Sequence, residues 1–113
     1  MADLVMVDNK KTVGADTIEI FFTAKTVGAG GLGARISAFT ASNNTTASAS
    51  YKAYIYNAAG GLVDPVIPQK IVVIDRFDLG PSIVSQIIPA GGTLRIENST
   101  ADSLSYYVTG KEL

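Results

Sequence analysis

The sequence predicts an all-β protein, an antiparallel β-sandwich or jelly roll of about eight strands in a single domain over residues 1–113. Three observations lead there. Apolar and polar residues alternate with period two through much of the chain, most clearly in its last quarter, residues 86–113. Clusters of Gly, Pro, Asn and Asp interrupt that alternation every roughly 8–12 residues, the spacing of turns between short strands. The length of 113 residues suits one domain burying roughly two-thirds of its unfolded surface, and no cysteine is present to staple a smaller core.

Residues 4–7 begin a short strand, which the polar cluster Asp8, Asn9 and Lys10 turns; a second turn falls at residues 14–16. Residues 17–24 form a strand with Ile18, Ile20, Phe22 and Ala24 on one face and Glu19, Phe21 and Thr23 on the other. Residues 28–33 read as a flexible glycine-rich loop. Alternation resumes over residues 34–41, where Ile36 and Ala38 oppose Arg35, Ser37 and Phe39, and Asn43 and Asn44 make the next turn.

Residues 45–57 are expected to be the longest strand, with Ala47, Ala49, Tyr51, Ala53 and Ile55 in register on a thin face. A turn at 58–61 follows, and Pro65 and Pro68 should keep the next segment irregular, because neither donates a ladder hydrogen bond. Four consecutive β-favouring residues at 71–74 suggest a central strand buried on both faces. Residues 81–88 carry both helical spacing and β-formers, with Pro81 acceptable at a helix start; a strand is preferred. Pro89 drives Ile88 toward an extended conformation, and the Pro-Ala-Gly-Gly sequence makes a hairpin-like turn into residues 93–98.

In the last quarter Leu94, Ile96, Leu104, Tyr106 and Val108 should face inward, with Arg95, Glu97, Ser105 and Thr109 outward, as in a β-meander. The N-terminal strand and the Ala/Ser-rich strand are expected at exposed edges, which favours a homo-oligomer.

Charge narrows the function. Nine basic and ten acidic residues give a net charge of -1, and charged residues are 17% of the chain against ~25% in an average globular protein. The basic residues are scattered, so nucleic acid is not expected as a ligand. No stretch approaches the roughly 20 apolar residues that span a bilayer, and the N-terminal sequence lacks the basic start and apolar run of a secretory signal. Histidine is absent, removing the commonest general base. Nothing singles out a lysine or serine as an activated nucleophile, so the chain is not expected to be an enzyme.

Gly28, Gly30 and Gly33 match G-x-G-x-x-G, yet a dinucleotide site needs a helix to start at that loop, and the following residues alternate as a strand; no cofactor is expected. Asp64, Asp75 and Asp78 match no metal-binding spacing, and turn or surface roles account for them. Asn43, Asn44 and Asn98 head N-x-S/T sequons, which read as turn chemistry. Tyr51 opposes Tyr54 and Tyr56, and Tyr106 opposes Tyr107, so one of each set belongs to the core. Tyr54, Tyr56 and Tyr107, with Phe39 on the polar side of its strand, are the candidate interface residues.

The segments SYKAYIYNAAGG, VIPQKIVV and QIIPAGGTLRIENSTADSLSYYVTGKEL resemble small virion proteins of tailed bacteriophages. The shared pattern is an apolar-Pro-Ala-Gly-Gly turn (88–92), a serine/threonine/alanine loop (98–103) and a last strand ending in Gly-basic-Glu (110–112). It extends from Ser50 to the end of the chain. In size and strand pattern the chain is similar to the capsid decoration, cement or staple proteins of epsilon15-like podophages. That resemblance implies a jelly roll in the virion, made in the host bacterial cytoplasm, that contacts major capsid proteins or other virion proteins as a dimer or trimer. It carries no catalytic residues. The alternative is a tail, fibre or head-tail connector component with a host-surface or carbohydrate-binding role.

Overall fold

The computed structural model describes residues 3–12, 14–80 and 83–113, without the side chains of residue 3 and residues 63–69. Among these described residues nine strands follow one another: β1 (Asp3–Lys11), β2 (Glu19–Thr23), β3 (Ala34–Asn43), β4 (Ala49–Tyr56), β5 (Leu62–Val72), β6 (Phe77–Asp78), β7 (Ile87–Ile88), β8 (Thr93–Asn98) and β9 (Leu104–Glu112). One sheet has the order β1-β9-β3-β6, with β7 also paired to β3; the other has the order β2-β8-β4-β5. Every pairing is antiparallel.

The pairs are nested. β1 pairs with β9, β2 with β8, β3 with β6 and β7, and β4 with β5. The chain is therefore one long hairpin doubled at the β4–β5 turn, then rolled so that successive pairs fall in opposite sheets, which is the jelly-roll topology. Asn57 fixes the doubling point: its Oδ1 accepts from the backbone N–H groups of Ala59 (3.0 Å) and Gly61 (2.8 Å).

Between the sheets, Phe21 of β2, Phe39 of β3, Tyr51 of β4 and Tyr106 of β9 form one aromatic cluster. Phe21 meets Tyr106 edge-on (5.3 Å, 89°), Phe39 stacks on Tyr51 (5.7 Å, 21°), and Tyr51 meets Tyr106 at 5.6 Å and 66°. These offset and edge-to-face arrangements place positive ring edges on negative faces. Ile36, Ile55, Ile83, Ile88, Leu94, Ile96, Leu104 and Val108 fill the space around the rings, all fully buried. The Tyr106 hydroxyl donates to Asn98 Oδ1, Asn98 Nδ2 donates to Ser103 Oγ (3.1 Å), and Ser103 donates to the Thr100 carbonyl (2.7 Å), so these side chains satisfy one another.

Several expectations are met at the level of single side chains. All five inward residues of the last quarter are buried, as are Ala49, Tyr51, Ala53 and Ile55 of β4. The turn expected before β8 is present, closed through Gly92 N–H to the Pro89 carbonyl (2.8 Å) with Gly91 at φ 74°, but it joins strands of different sheets and is no hairpin.

Other expectations are corrected. The last quarter is no meander, because β8 and β9 lie in different sheets. The turn expected at residues 8–10 is a bulge inside β1: Asn9 takes φ 48°, and the register slips between Val7 and Lys10. In β2, Phe21 lies opposite exposed Ile18 and Ile20 as expected and is the core residue, while a bulge between Ile20 and Phe22 takes Phe22 and Ala24 off the face of Ile18 and Ile20. In β3 a slip between Ile36 and Ala38 carries Phe39 to the buried face and Ala38 to solvent. A one-residue slip exchanges the two faces of everything beyond it.

Residues 45–48 lie outside β4, so β5, not β4, is the longest strand. The Asn43 side chain holds the intervening loop, donating to the Ala47 carbonyl (2.9 Å) and accepting from Thr45 N–H (3.0 Å). β4 is also interior rather than an edge, flanked by β8 and β5. The segment with Pro65 and Pro68 is strand after all, but it is a terminal strand and its register slips on either side of the Ala53–Ile67 pair. An edge tolerates proline because one backbone side needs no ladder partner. Residues 71–74 end that edge strand and run into the next turn: Val72 is buried, and Ile71, Val73 and Ile74 are exposed. Of residues 81–88, Pro81 and Ser82 lie outside the described residues, 83–85 form a turn, and only Ile87–Ile88 is strand.

Candidate interaction surface

Strand alternation sets the outer face of the four-stranded sheet. On β4, buried Ala53 and Ile55 leave Tyr54 and Tyr56 outward; on β8, buried Leu94 and Ile96 leave Arg95 and Glu97 outward. Tyr54 pairs with Arg95, Lys52 with Glu97 and Tyr56 with Thr93. The side-chain contacts run along the diagonals of this ladder. The Tyr54 hydroxyl donates to Glu97 Oε1 at 2.9 Å, and the Arg95 guanidinium lies 4.2 Å from the centroid of the Tyr56 ring. Diagonal neighbours lie within reach of long side chains in an antiparallel pair.

Arg95 is fixed a second time, since its Nε donates to Thr93 Oγ1 at 2.9 Å. The two tyrosine rings sit 6.2 Å apart, tilted by 55°. Cation–π contact at a half-exposed site contributes about 0.5–1 kcal/mol, so its main effect here is to hold the guanidinium in one orientation. Burial, and then the bond to Glu97, push the Tyr54 hydroxyl up to about 12. It therefore stays a donor through the neutral range.

The polar ladder has apolar neighbours on both sides: exposed Ile20 pairs with Arg95 across β2, and exposed Leu62 pairs with Tyr56 across β5. At one end the face dips into a depression of about 150 Å³ lined by Asp16, Ser50, Lys52, Glu97 and Ser99, among others. The ensemble offers rings, a guanidinium, a carboxylate and an ammonium group, all suited to recognition. Among the described residues no group of three or more His, Cys, Asp or Glu is gathered that could hold a metal ion.

The four candidate interface residues are not brought together. Tyr54 and Tyr56 share the face just described. Tyr107 is exposed on β9, opposite Thr40 of β3, and belongs to the other sheet. Phe39 is core, stacked on Tyr51, because of the slip in β3; it is not an interface residue. Arg95 and Glu97, which complete the tyrosine face, were legible only as outward residues of their strand; their spacing of two, matching that of Tyr54 and Tyr56, was the available signal.

The remaining motifs have structural roles. The segment around Gly28, Gly30 and Gly33 is a folded turn: residues 27–29 form a 3₁₀ turn, Gly31 N–H donates to the Thr26 carbonyl (2.8 Å), and the chain then enters β3, not a helix. Asp78 faces inward and accepts from the Tyr51 hydroxyl, whereas Asp75 sits exposed in a turn; the Asp64 side chain lies outside the described residues. Asn43 and Asn98 are buried hydrogen-bonding hubs.

A second exposed feature lies where β5 and β6 end their respective sheets. Ile71, Val73, Ile74, Phe77 and Leu79 are all exposed within nine residues, interrupted by the exposed pair Asp75 and Arg76. Comparison of the chain with known protein families, curated proteins and solved structures finds no match.

Proposed function

We propose that the chain is a bacteriophage virion structural protein, a capsid decoration protein that bridges and stabilises major capsid proteins. The observation that carries this reading is the face built from Tyr54, Tyr56, Arg95 and Glu97, whose side chains are already held by one another before any partner arrives. Tyrosine and arginine are enriched at protein interfaces, and side chains ordered in advance reduce the entropy lost on binding. Apolar Ile20 and Leu62 beside the ladder extend the same face. The jelly roll supplies a rigid frame, and the likeness of residues 50–113 to small virion proteins supplies the setting.

The physical benefit of decoration is multiplicity. A shell offers many equivalent sites, and a protein that spans two neighbouring subunits makes each second attachment intramolecular. Modest contacts then add up to a large resistance against rupture. The test is to prepare particles from a phage lacking this chain and heat them beside complete ones. Depleted shells should release their DNA at a lower temperature, and adding the purified chain should restore the difference; identical release curves would remove the decoration role.

The polar depression beside Glu97 and Lys52 favours one other reading, a tail or fibre component whose tyrosine face holds a carbohydrate. Glycan-array binding that disappears in Tyr54→Ala would select it.

A further inference from the structure

We propose that the flank spanning residues 71–79 is a two-fold contact between copies of this chain. The flank is the most apolar exposed stretch of the described residues: Ile71 is 71% and Phe77 64% exposed, with Val73, Ile74 and Leu79 beside them.

The charge pattern of the flank identifies its occupant. Asp75 and Arg76 are adjacent and exposed, and among the described residues neither is in an ion pair. Apolar residues bracket them, Ile74 before and Phe77 after. The Val73–Arg76 turn puts an acid and a base side by side among exposed apolar residues, and a two-fold that brings two such turns together can set each Asp75 against the second copy's Arg76 with the apolar side chains meeting around them. A patch holding one acid and one base is thus complementary to itself under a two-fold, which is the requirement of an isologous interface. A different partner would have to supply that arrangement independently.

The segment is also held in place. Arg76 N–H donates to the Val73 carbonyl (3.2 Å), Asp75 N–H to the Asn43 carbonyl (2.9 Å), and Asn43 N–H to the Arg76 carbonyl (2.9 Å). The turn is therefore presented by the end of β3 without needing a partner to order it. The contact is independent of the virion reading, and in a decorating dimer it would leave a tyrosine face on each copy.

The experiment is sedimentation equilibrium of the purified full chain, with no particles present, so that its outcome is separate from that of the heating test. The wild type should be a monomer–dimer system. Arg76→Asp places two acids across the axis and Asp75→Lys two bases; each should weaken the dimer at least about tenfold, and an equimolar mixture of the two should form heterodimers. Phe77→Ser should weaken it to a similar degree. Arg76→Asp and Phe77→Ser alter exposed side chains, so they carry the test even if Asp75→Lys, at a backbone φ of 58°, fails to fold. A wild type that stays monomeric overturns the proposal, as does a dimer indifferent to Arg76→Asp and Phe77→Ser.

Discussion

The Tyr51 hydroxyl donates to Asp78 Oδ2 at 2.6 Å, joining β4 in the middle of one sheet to the two-residue strand β6 at the border of the other. Asp78 also accepts from Gly80 N–H (3.1 Å) and lies 3.8 Å from the Lys70 ammonium. With only two residues, β6 has a short ladder with β3, and this carboxylate ties it to the other sheet as well. Asp78→Ala leaves a buried phenol without its partner and should cost about 1–3 kcal/mol of unfolding free energy in urea titrations. Asp78→Asn keeps an acceptor and should cost less.

Phe39 and Tyr107 test the division between core and surface. Phe39→Ala removes a ring that stacks on Tyr51 and touches Tyr106, at an expected cost of about 3–5 kcal/mol. Tyr107→Ala acts on a partly exposed ring and should cost only about 1 kcal/mol, from its cross-strand contacts. Denaturant midpoints of the two variants measure the contrast directly.

That contrast also marks what the sequence could and could not convey. Where a strand runs without a bulge, as in β4, β8 and the body of β9, alternation alone separates Tyr51 from Tyr54, Leu94 from Arg95 and Tyr106 from Tyr107. Where one extra residue enters, as at residues 20–22 and 36–38, alternation continues on paper while the chain changes face. Phe39, expected on the polar side, is core for that reason. Composition misled at Ile71–Ile74, because β-branched residues are as favourable at an exposed edge as inside a sheet. Sheet membership was not legible either: β8 and β9 are joined by a short loop, yet their partners lie far away in sequence. The same holds for the tyrosine face, whose outward residues were readable but whose Tyr54–Glu97 and Tyr56–Arg95 contacts depend on cross-strand register.

Asn43 links three segments. Its Nδ2 donates to the carbonyls of Val72 (2.8 Å) and Ala47 (2.9 Å), its Oδ1 accepts from Thr45 Oγ1 (2.6 Å), and its backbone holds the turn at Asp75 and Arg76. Asn43→Ala should lower stability by about 1–3 kcal/mol, since the buried bond to the Val72 carbonyl is lost and the Ala47 carbonyl keeps only the Thr45 hydroxyl. Hydrogen exchange should show the largest loss of protection at the amides of Thr45, Asp75 and Arg76. Uniform loss across the sheets would mean that Asn43 does not act locally.

Alkaline pH should destabilise the fold through its tyrosines. Burial raises the Tyr51 and Tyr106 hydroxyls above the ordinary value of 10.0, and Asp78 raises Tyr51 further. Tyr54 is pushed up to about 12. The folded state keeps these protons at a pH where the unfolded chain has released them. Their stabilisation is therefore complete below pH ~10 and is lost as pH rises, for Tyr54 through about 12. Urea unfolding at successive pH values should show falling stability across that window, and Tyr54→Phe should make the fall shallower. Stability that is flat over the same range would contradict the assignment.

The central claim, that this chain coats a capsid, is tested most directly by counting its copies in purified virions with isotope-labelled standards. The account predicts a copy number on the scale of the major capsid protein. A count of a few per particle, or none, would contradict it.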